Sequence, residues 1–343
     1  MLLGYLAVFV SPAKVWLLAI LGLGYPYLLL VNVLFVGFWL YHKQWAFLYS
    51  FLAILMGWAF LGRTFQLVVS NAEHVSGSPF ELVSYNVRHF DKYQWTGDRS
   101  TPQKIAEFIT DKNADIICLQ EISSNSNTKV KQHPQLKQMA KGKKYHVDYA
   151  KNNKGKYTTG MITISSFPIV GKGAIRFEAS SNMAVYTDLK IHTDTIRVIN
   201  VHLQSVNLDP REYSMLDSIR INNREQNLKE AGDILGHLKE GFVSRAGQAE
   251  EIAEHISNSP YPVIVCGDFN DSPVSYAYQK IRGEFNDAFI ESGAGISNTY
   301  RGKFPSFRID YILHSTKLVS SEYKKHKVKL SDHYPVSCRF AIK

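Results

Sequence analysis

Six strand-like runs of this 343-residue chain end in, or are interrupted by, polar side chains. SYNV carries Asn86, CLQE carries Glu121, and INVHL carries Asn200 and His202. VIVCGDFND carries Asp268 and Asn270, RIDYIL carries Asp310, and SDHYP carries Asp332 and His333. Polar groups at the tips of buried strands are expensive unless something pairs with them. Strand ends on a rigid scaffold are also where binding groups are mounted, so six such tips predict one convergent site. The residue types suit phosphorus chemistry. Asn86 and Glu121 offer oxygen to a hard cation; Mg²⁺ takes one or two carboxylates, waters and a substrate phosphate, with Mn²⁺ as the alternative. Asp268 can orient or deprotonate a water for attack on phosphorus. His202 and His333 can donate hydrogen bonds to phosphoryl oxygens as charge accumulates there. Asp310 can hold an imidazole, that of His333, in the required tautomer. No Cys/His cluster has zinc spacing, and no G-x-x-x-x-G-K-[ST] loop is present.

The elements that must position these groups are short and bounded by turns. FELVSYNV, ADIICLQE, TGMITIS, MAVYTDLKI, TIRVINVHL, YPVIVCGDFN, FRIDYILHS and YPVSCRFAI are rich in β-branched and aromatic residues and read as strands. Thr101-Pro102 opens a helix, with a cap residue before a proline, and Ile105, Phe108 and Ile109 give it an apolar stripe. Residues 211–257 form a long, charged, helix-like insertion between two strands. Residues 80–343 therefore read as one α+β domain with two sheets and outer helices.

Ahead of it lies a different texture. Val15 to Leu40 and Gln44 to Gly62 carry no charge, and each is long enough to cross a bilayer as a helix. Trp39, Tyr41, Trp45 and Trp58 lie near the expected ends, where aromatic belts form. A signal peptide supplies one apolar region and a cleavage site, not two spans. The expectation is a transmembrane region over 1–66, with helices at about 15–40 and 44–62, and a polar linker over 67–79. Met1 to Val10 is apolar but too short to span, an interfacial segment or the stub of a longer helix. Lys43 in the short connection favours a cytoplasmic loop and so an extracytoplasmic catalytic part, while Lys14 and Arg63 pull the other way.

The net charge is +9, and residues 1–63 hold three basic residues and no acid. A moderately basic remainder suits polyanionic substrates or an anionic membrane surface. Hydrophobic residues make up 45%, enough for a large core and against global disorder. Cys118, Cys266 and Cys338 each sit in an apolar run and read as buried thiols rather than a disulfide framework.

The ordered set SYNV, LQE, NVHL, GDFN, RIDYIL and SDHYP resembles the endonuclease/exonuclease/phosphatase superfamily with the deoxyribonuclease-I-like fold. The resemblance covers about residues 80–343 and implies a four-layer αββα sandwich with divalent-metal cleavage of phosphoesters. It implies metal-site roles for Asn86, Glu121 and Asp332, and water alignment by Asp268. It further implies a phosphate contact by Asn270, an Asp310–His333 pair, and His202 facing the phosphate. The histidine at 202 is more like deoxyribonucleases, sphingomyelinases and inositol-polyphosphate phosphatases than apurinic-site endonucleases. The tryptophan-rich motif of the inositol phosphatases is absent, and RHFDKYQW after Asn86 matches no subfamily signature.

Other side chains have plainer readings. His89 reads as a loop histidine, and His255, His314 and His326 as surface residues. The lysines at 129–156 and 324–329 form either solvated loops or groove lips for phosphate. Tyr157 is a candidate phosphate contact, and Arg308 is either a phosphate clamp or a structural partner. The expected protein is a multi-pass membrane-anchored, Mg²⁺-dependent phosphoesterase, nuclease-like, hydrolysing phosphodiester bonds of nucleic acid or of a phospholipid headgroup. A phospholipid- or sphingomyelin-type phosphodiesterase or an inositol phosphatase is the alternative within that class. A catalytically silent membrane adaptor is the alternative outside it. No obligate protein partner is evident.

Overall fold

The computed structural model describes residues 1–67, 78–123, 133–151, 157–178, 180–206, 224–302 and 307–343. The chain divides into two compact units. One comprises Gln66–Gln204, Ile252–Asn270 and Glu284–Lys343. The other comprises Met1–Phe65, Ser205–Glu251 and Asp271–Gly283.

The first unit is a mixed α+β sandwich of two six-stranded sheets. Its strands are β1 (Phe80–Asn86), β2 (Ile116–Ser123), β3 (Lys144–Lys151), β4 (Tyr157–Ser165), β5 (Ile169–Arg176) and β6 (Met183–Ile191). They continue as β7 (Asp194–His202), β8 (Val263–Asp268), β9 (Asn286–Asp287), β10 (Asp310–His314), β11 (Leu318–Lys325) and β12 (Val336–Ile342). One sheet runs β11-β12-β1-β2-β4-β3 and the other β9-β10-β8-β7-β6-β5. Each sheet holds one parallel pair, β1 with β2 and β7 with β8. The inner faces meet in an apolar core that includes Leu82, Cys118, Val198, Ile264, Cys266 and Ile312. All three cysteines are free and buried, as small hydrophobes. The helix α1 (Thr101–Lys112) covers the outer face of the first sheet, packing Ile105 and Ile109 against Val83, Ile117 and Ile164.

The second unit corrects the picture of two continuous apolar helices. Among the described residues no single helix is long and apolar enough to cross a membrane. Two bent pairs pass by length and composition: Leu17–Leu23 with Tyr25–Tyr41, bent by 65°, and Phe47–Met56 with Trp58–Thr64, bent by 69°. The first break falls at Gly24, followed by Pro26 in the opening turn of the next helix. The second falls at Gly57, where the Tyr5 ring fills the space a side chain would need and Tyr5 Oη donates to Ala53 O at 2.8 Å. The first ten residues form short helical pieces, Leu2–Tyr5 and Leu6–Val8, that leave Leu2, Leu3, Leu6 and Phe9 exposed. Tyr5 and Val8 are buried with Tyr25, Phe60 and Val274. A long helix, Arg224–Ser257, realises the helical part of the expected insertion, and its Ile234, Leu238 and Phe242 pack on Ala19. Residues 207–223 and most of the 67–79 link lie outside the described residues.

Candidate active site

Parallel pairing of β7 with β8, and antiparallel pairing of β8 with β10, sets the centre of the site. Asp268 is the register partner of His202 on one side and of Asp310 on the other. Three polar groups distant in sequence thus become lateral neighbours at one end of a sheet. Gly267 makes this possible. Its φ is +132°, and a Cβ there would lie 2.0 Å from Val201 O.

The first sheet contributes from across the sandwich. Glu121 stands at a register shift in the β2–β4 pairing between Leu119 and Ile122, a bulge of the kind that re-aims a side chain. Its φ of +53° is strained for a non-glycine residue. Asn86, wholly buried, donates Nδ2 to Glu121 Oε1 and to Asp268 Oδ2, each at 3.0 Å. One amide therefore ties the two sheets together at the site. Beneath it Gln120 Nε2 donates to Asn200 Oδ1 at 2.7 Å, a second buried amide bridge. Asn200 is thus a structural brace.

His333 Nδ1 lies 2.9 Å from Asp310 Oδ2, which leaves Nε2 facing Asp268 Oδ2 at 3.6 Å. Thr299 Oγ1 accepts from Ile309 N and Asp310 N, each at 3.0 Å, and so fixes the end of β10. His202 is 5% exposed, and neither ring nitrogen has a hydrogen-bond partner among the described residues. Its Nε2 stands 3.5 Å from Glu121 Oε1 and 3.8 Å from Asp268 Oδ2.

The electrostatics follow from burial among alternating charges. Burial pushes Asp268 up to about 6; His333 and His202 oppose that shift and Asp310 adds to it. Burial works against charge on His333, but Asp310 and Asp268 override it and hold the imidazolium well above its ordinary range. Burial would raise Glu121 too, yet His202, His89 and the Asn86 hydrogen bond outweigh it and keep the carboxyl below its usual value. Oxygens of Glu121 and Asp268 and a nitrogen of His202 lie within 4.8 Å of one another, as do ligand atoms of Asp268, Asp310 and His333. Closely set carboxylate oxygens beside a buried imidazole with no partner fit a divalent cation.

Seven of the eight expected site residues meet here, with two adjustments. Asn86 presents its amide nitrogen to the carboxylates, while its Oδ1 accepts from Arg88 N at 3.0 Å. Asn270 braces the loop, donating its backbone N–H to Asp268 Oδ1 at 2.8 Å and Nδ2 to Leu203 O at 2.9 Å. The eighth, Asp332, stands outside the converging ligand atoms and pairs instead with Arg88, Nε to Oδ2 at 3.2 Å. Ser331, next to it, donates to Asn86 O at 2.9 Å. That serine sits in the quoted SDHYP, but nothing in its type signals the role. Thr299 carries no sequence signal at all.

Several plainer readings change. His89 is only 22% exposed and reaches within 3.7 Å of Glu121 Oε2, so it belongs to the site's edge. His314 is fully buried, bonded to Glu291 Oε2 at 2.9 Å. His326 is half-buried on Ser337, and His255 is exposed as expected. Arg308 is a structural partner, buried against Asp287. Lys143 caps Ala114 O, while Lys137, Lys141 and Lys144 are exposed. Lys129, Lys131, Lys154, Lys156 and the side chain of Tyr157 lie outside the described residues.

Two packed sheets carrying this cluster at one end define a hydrolase of phosphoester bonds. The sequence model of the Endonuclease/Exonuclease/phosphatase family matches residues 83–333, and the chain belongs to that family. A domain of unknown function (DUF8431) matches residues 1–64. No curated protein sequence matches this one. Among solved structures, a functionally unknown conserved protein from Enterococcus faecalis V583 is similar at 16% identity and TM-score 0.54, over 77% of this chain and 100% of that one. Truncated Caenorhabditis elegans TDP2 is similar at 16% identity and TM-score 0.51, over 78% and 99%. An endonuclease/exonuclease/phosphatase family protein from Leptotrichia buccalis C-1013-b is similar at 16% and 0.53, over 77% and 100%. At these identities the likeness is one of fold.

Proposed function

We propose that the chain is a Mg²⁺- or Mn²⁺-dependent phosphodiesterase, nuclease-like, whose N-terminal apolar helices sit in a membrane. The observation that carries the catalytic reading is the placement of Asp268, flanked in register by His202 and Asp310 and met by Glu121 from the other sheet. Glu121 and Asp268 would hold the cation, with Asn86 fixing both carboxylates. Bound there, it would polarise a phosphoryl oxygen and offset its charge. Asp268 orients the attacking water and accepts its proton. Asp310 holds His333 protonated, so that Nε2–H can donate to a phosphoryl oxygen. His202, whose ring nitrogens have no hydrogen-bond partner among the described residues, supplies a second contact to the phosphate.

The membrane reading rests on the apolar side chains that the N-terminal helices leave exposed, among them Leu30, Leu34 and Phe35 on one bent pair and Leu52 and Met56 on the other. Those same side chains favour a second reading of the substrate, a membrane-borne phosphodiester such as a phospholipid headgroup.

EDTA should abolish hydrolysis of a generic phosphodiester, and Mg²⁺ or Mn²⁺ should restore it. Asp268→Ala should remove activity and leave the circular dichroism spectrum unchanged; full activity in that variant defeats the mechanism. Plasmid DNA and mixed-lipid vesicles, offered separately, distinguish the two substrates. A titration in which no divalent metal binds would favour a silent adaptor instead.

A further inference from the structure

RHFDKYQW, immediately after Asn86, has an unusual backbone. Arg88, His89, Phe90 and Asp91 have φ of 44°, 55°, 55° and 53°, a left-handed turn built without glycine. Such a run is disfavoured for L-residues, and strain of this kind gathers at functional sites. The turn is fastened on every side. Arg88 pairs with Asp332 and His89 approaches Glu121. Phe90 is buried in the outer core, and Asp91 accepts from Thr96 N at 3.2 Å.

On this fastened loop stand two exposed rings. Tyr93 is 63% and Trp95 45% exposed, with centroids 5.0 Å apart and planes tilted by 59°. The Arg88 guanidinium backs the indole at 3.9 Å, and the His89 ring meets Tyr93 at 6.3 Å. A continuous path of side-chain contacts runs from Glu121 through His89, Tyr93, Trp95 and Arg88 to Asp332. Among the described residues of this unit the other exposed large apolar side chains are Leu67, Val170 and Ile296, none of them aromatic.

We propose that Trp95 and Tyr93 are specificity-determining residues, a stacking platform for an unpaired base beside the scissile phosphate, which makes the substrate a single-stranded nucleic acid. This rests on the phosphodiesterase reading above. Preorganised rings favour a flat partner, because every base offers a π-face and no ordering of the loop is needed. Arg88 and Lys92, which lies 5.8 Å over the Tyr93 ring, add positive charge suited to a strand's phosphates. An acyl chain would have to cover that lysine and Gln94, and it gains nothing from a cation-backed indole.

The test uses the full chain in detergent with Mg²⁺, silenced by Asp268→Ala so that strands bind without being cut. Fluorescence anisotropy measures affinity for a short single-stranded oligodeoxynucleotide and for an equally long strand lacking bases. Adding Trp95→Ala should lower the ratio of the two affinities by about 5- to 150-fold, the range that base–aromatic stacking spans. Trp95→Phe should restore most of it. An equal loss on both strands overturns the proposal, because the ring then merely holds Arg88. An unchanged ratio overturns it, because the rings then take no part in holding a base. Failure of the parent reading shows separately, as hydrolysis by the otherwise native chain that Asp268→Ala does not affect.

Discussion

Gly267→Ala tests whether the lateral packing of β7, β8 and β10 is what assembles the site. Gly267 pairs with Val201 on one side and Tyr311 on the other, one residue from the His202–Asp268–Asp310 row. An added Cβ would sit 2.0 Å from Val201 O, where ordinary contact begins at 3.4 Å, so the two atoms are about 1.4 Å too close. The obstacle is backbone and cannot rotate away, so β8 must part from β7 and carry Asp268 from His202. A misplacement of about 1 Å at reacting groups costs on the order of 100-fold in rate. The φ of +132° adds strain of about 1–3 kcal/mol, and overpacking adds about 1–3 kcal/mol more. For a domain of this size the sum lowers the melting temperature by roughly 4–24 °C. Gly283→Ala is the control, since its φ of +47° is also positive but its Cβ would meet open space. The assay is hydrolysis of bis(p-nitrophenyl) phosphate with Mg²⁺, alongside thermal melts of both variants. A Gly267→Ala protein that melts with the native chain and hydrolyses at its rate refutes this reasoning. So does a Gly283→Ala protein that loses as much activity.

The remaining predictions concern pH and truncation. Burial first, then Lys112 and Lys324, push His326 down to about 4 from 6.5, so the unfolded chain takes up this proton before the folded one does. Its contribution to stability is complete above pH 6.5 and declines as pH falls towards 4. Melting temperatures measured across that window should fall, and His326→Gln should flatten the slope; an identical slope in the variant rejects the assignment. Residues 80–343 expressed without the N-terminal helices should aggregate or melt early on gel filtration and thermal scans. Val274 then loses Tyr5, Val8, Tyr25 and Phe60, the cluster that buries it. A monodisperse fragment with the full chain's stability would contradict this.

The residues that gather at the site were legible because strand tips are a local pattern. An apolar run followed by Asn86, Glu121 or Asp268 shows its polar end without knowledge of any neighbour. What joins these tips is non-local. That Asp268 stands between His202 and Asp310 depends on the strand order β10-β8-β7, in which neighbours are 66 and 42 residues apart in the chain. The bulge that aims Glu121 lies in a pairing with β4, and no residue type in ICLQEIS announces it. Asp332 illustrates the same limit. Its place beside His333 suggests a ligand, but a left-handed turn at Arg88 brings a guanidinium to it. His314 looks like a surface residue by type, and Arg308 reads as either a phosphate clamp or a structural partner. Glu291 and Asp287, which allow their burial, come from a different part of the chain.

The apolar N-terminus was legible in another sense. Composition shows that residues 15–40 and 44–62 avoid charge, and Pro26 stands inside the first run. The second bend was not legible, because Gly57 is filled by a tyrosine 52 positions earlier. The pieces are short in consequence: at about 1.5 Å per residue, Tyr25–Tyr41 extends about 25 Å, less than a hydrocarbon core of about 30 Å. Arg63, at the end of the last piece, is buried and fully committed. It donates to Pro273 O at 3.1 Å and to Gln279 Oε1 at 2.9 Å, and its guanidinium lies over Phe60 and Tyr278. A buried guanidinium is tolerated only where such partners are fixed. Those partners lie in Asp271–Gly283, the segment that starts one residue after Asn270, where Arg245 also pairs with Asp271. The helices that composition marks as an anchor are therefore built around the segment that continues from Asn270, and removing them removes the packing on which that segment depends.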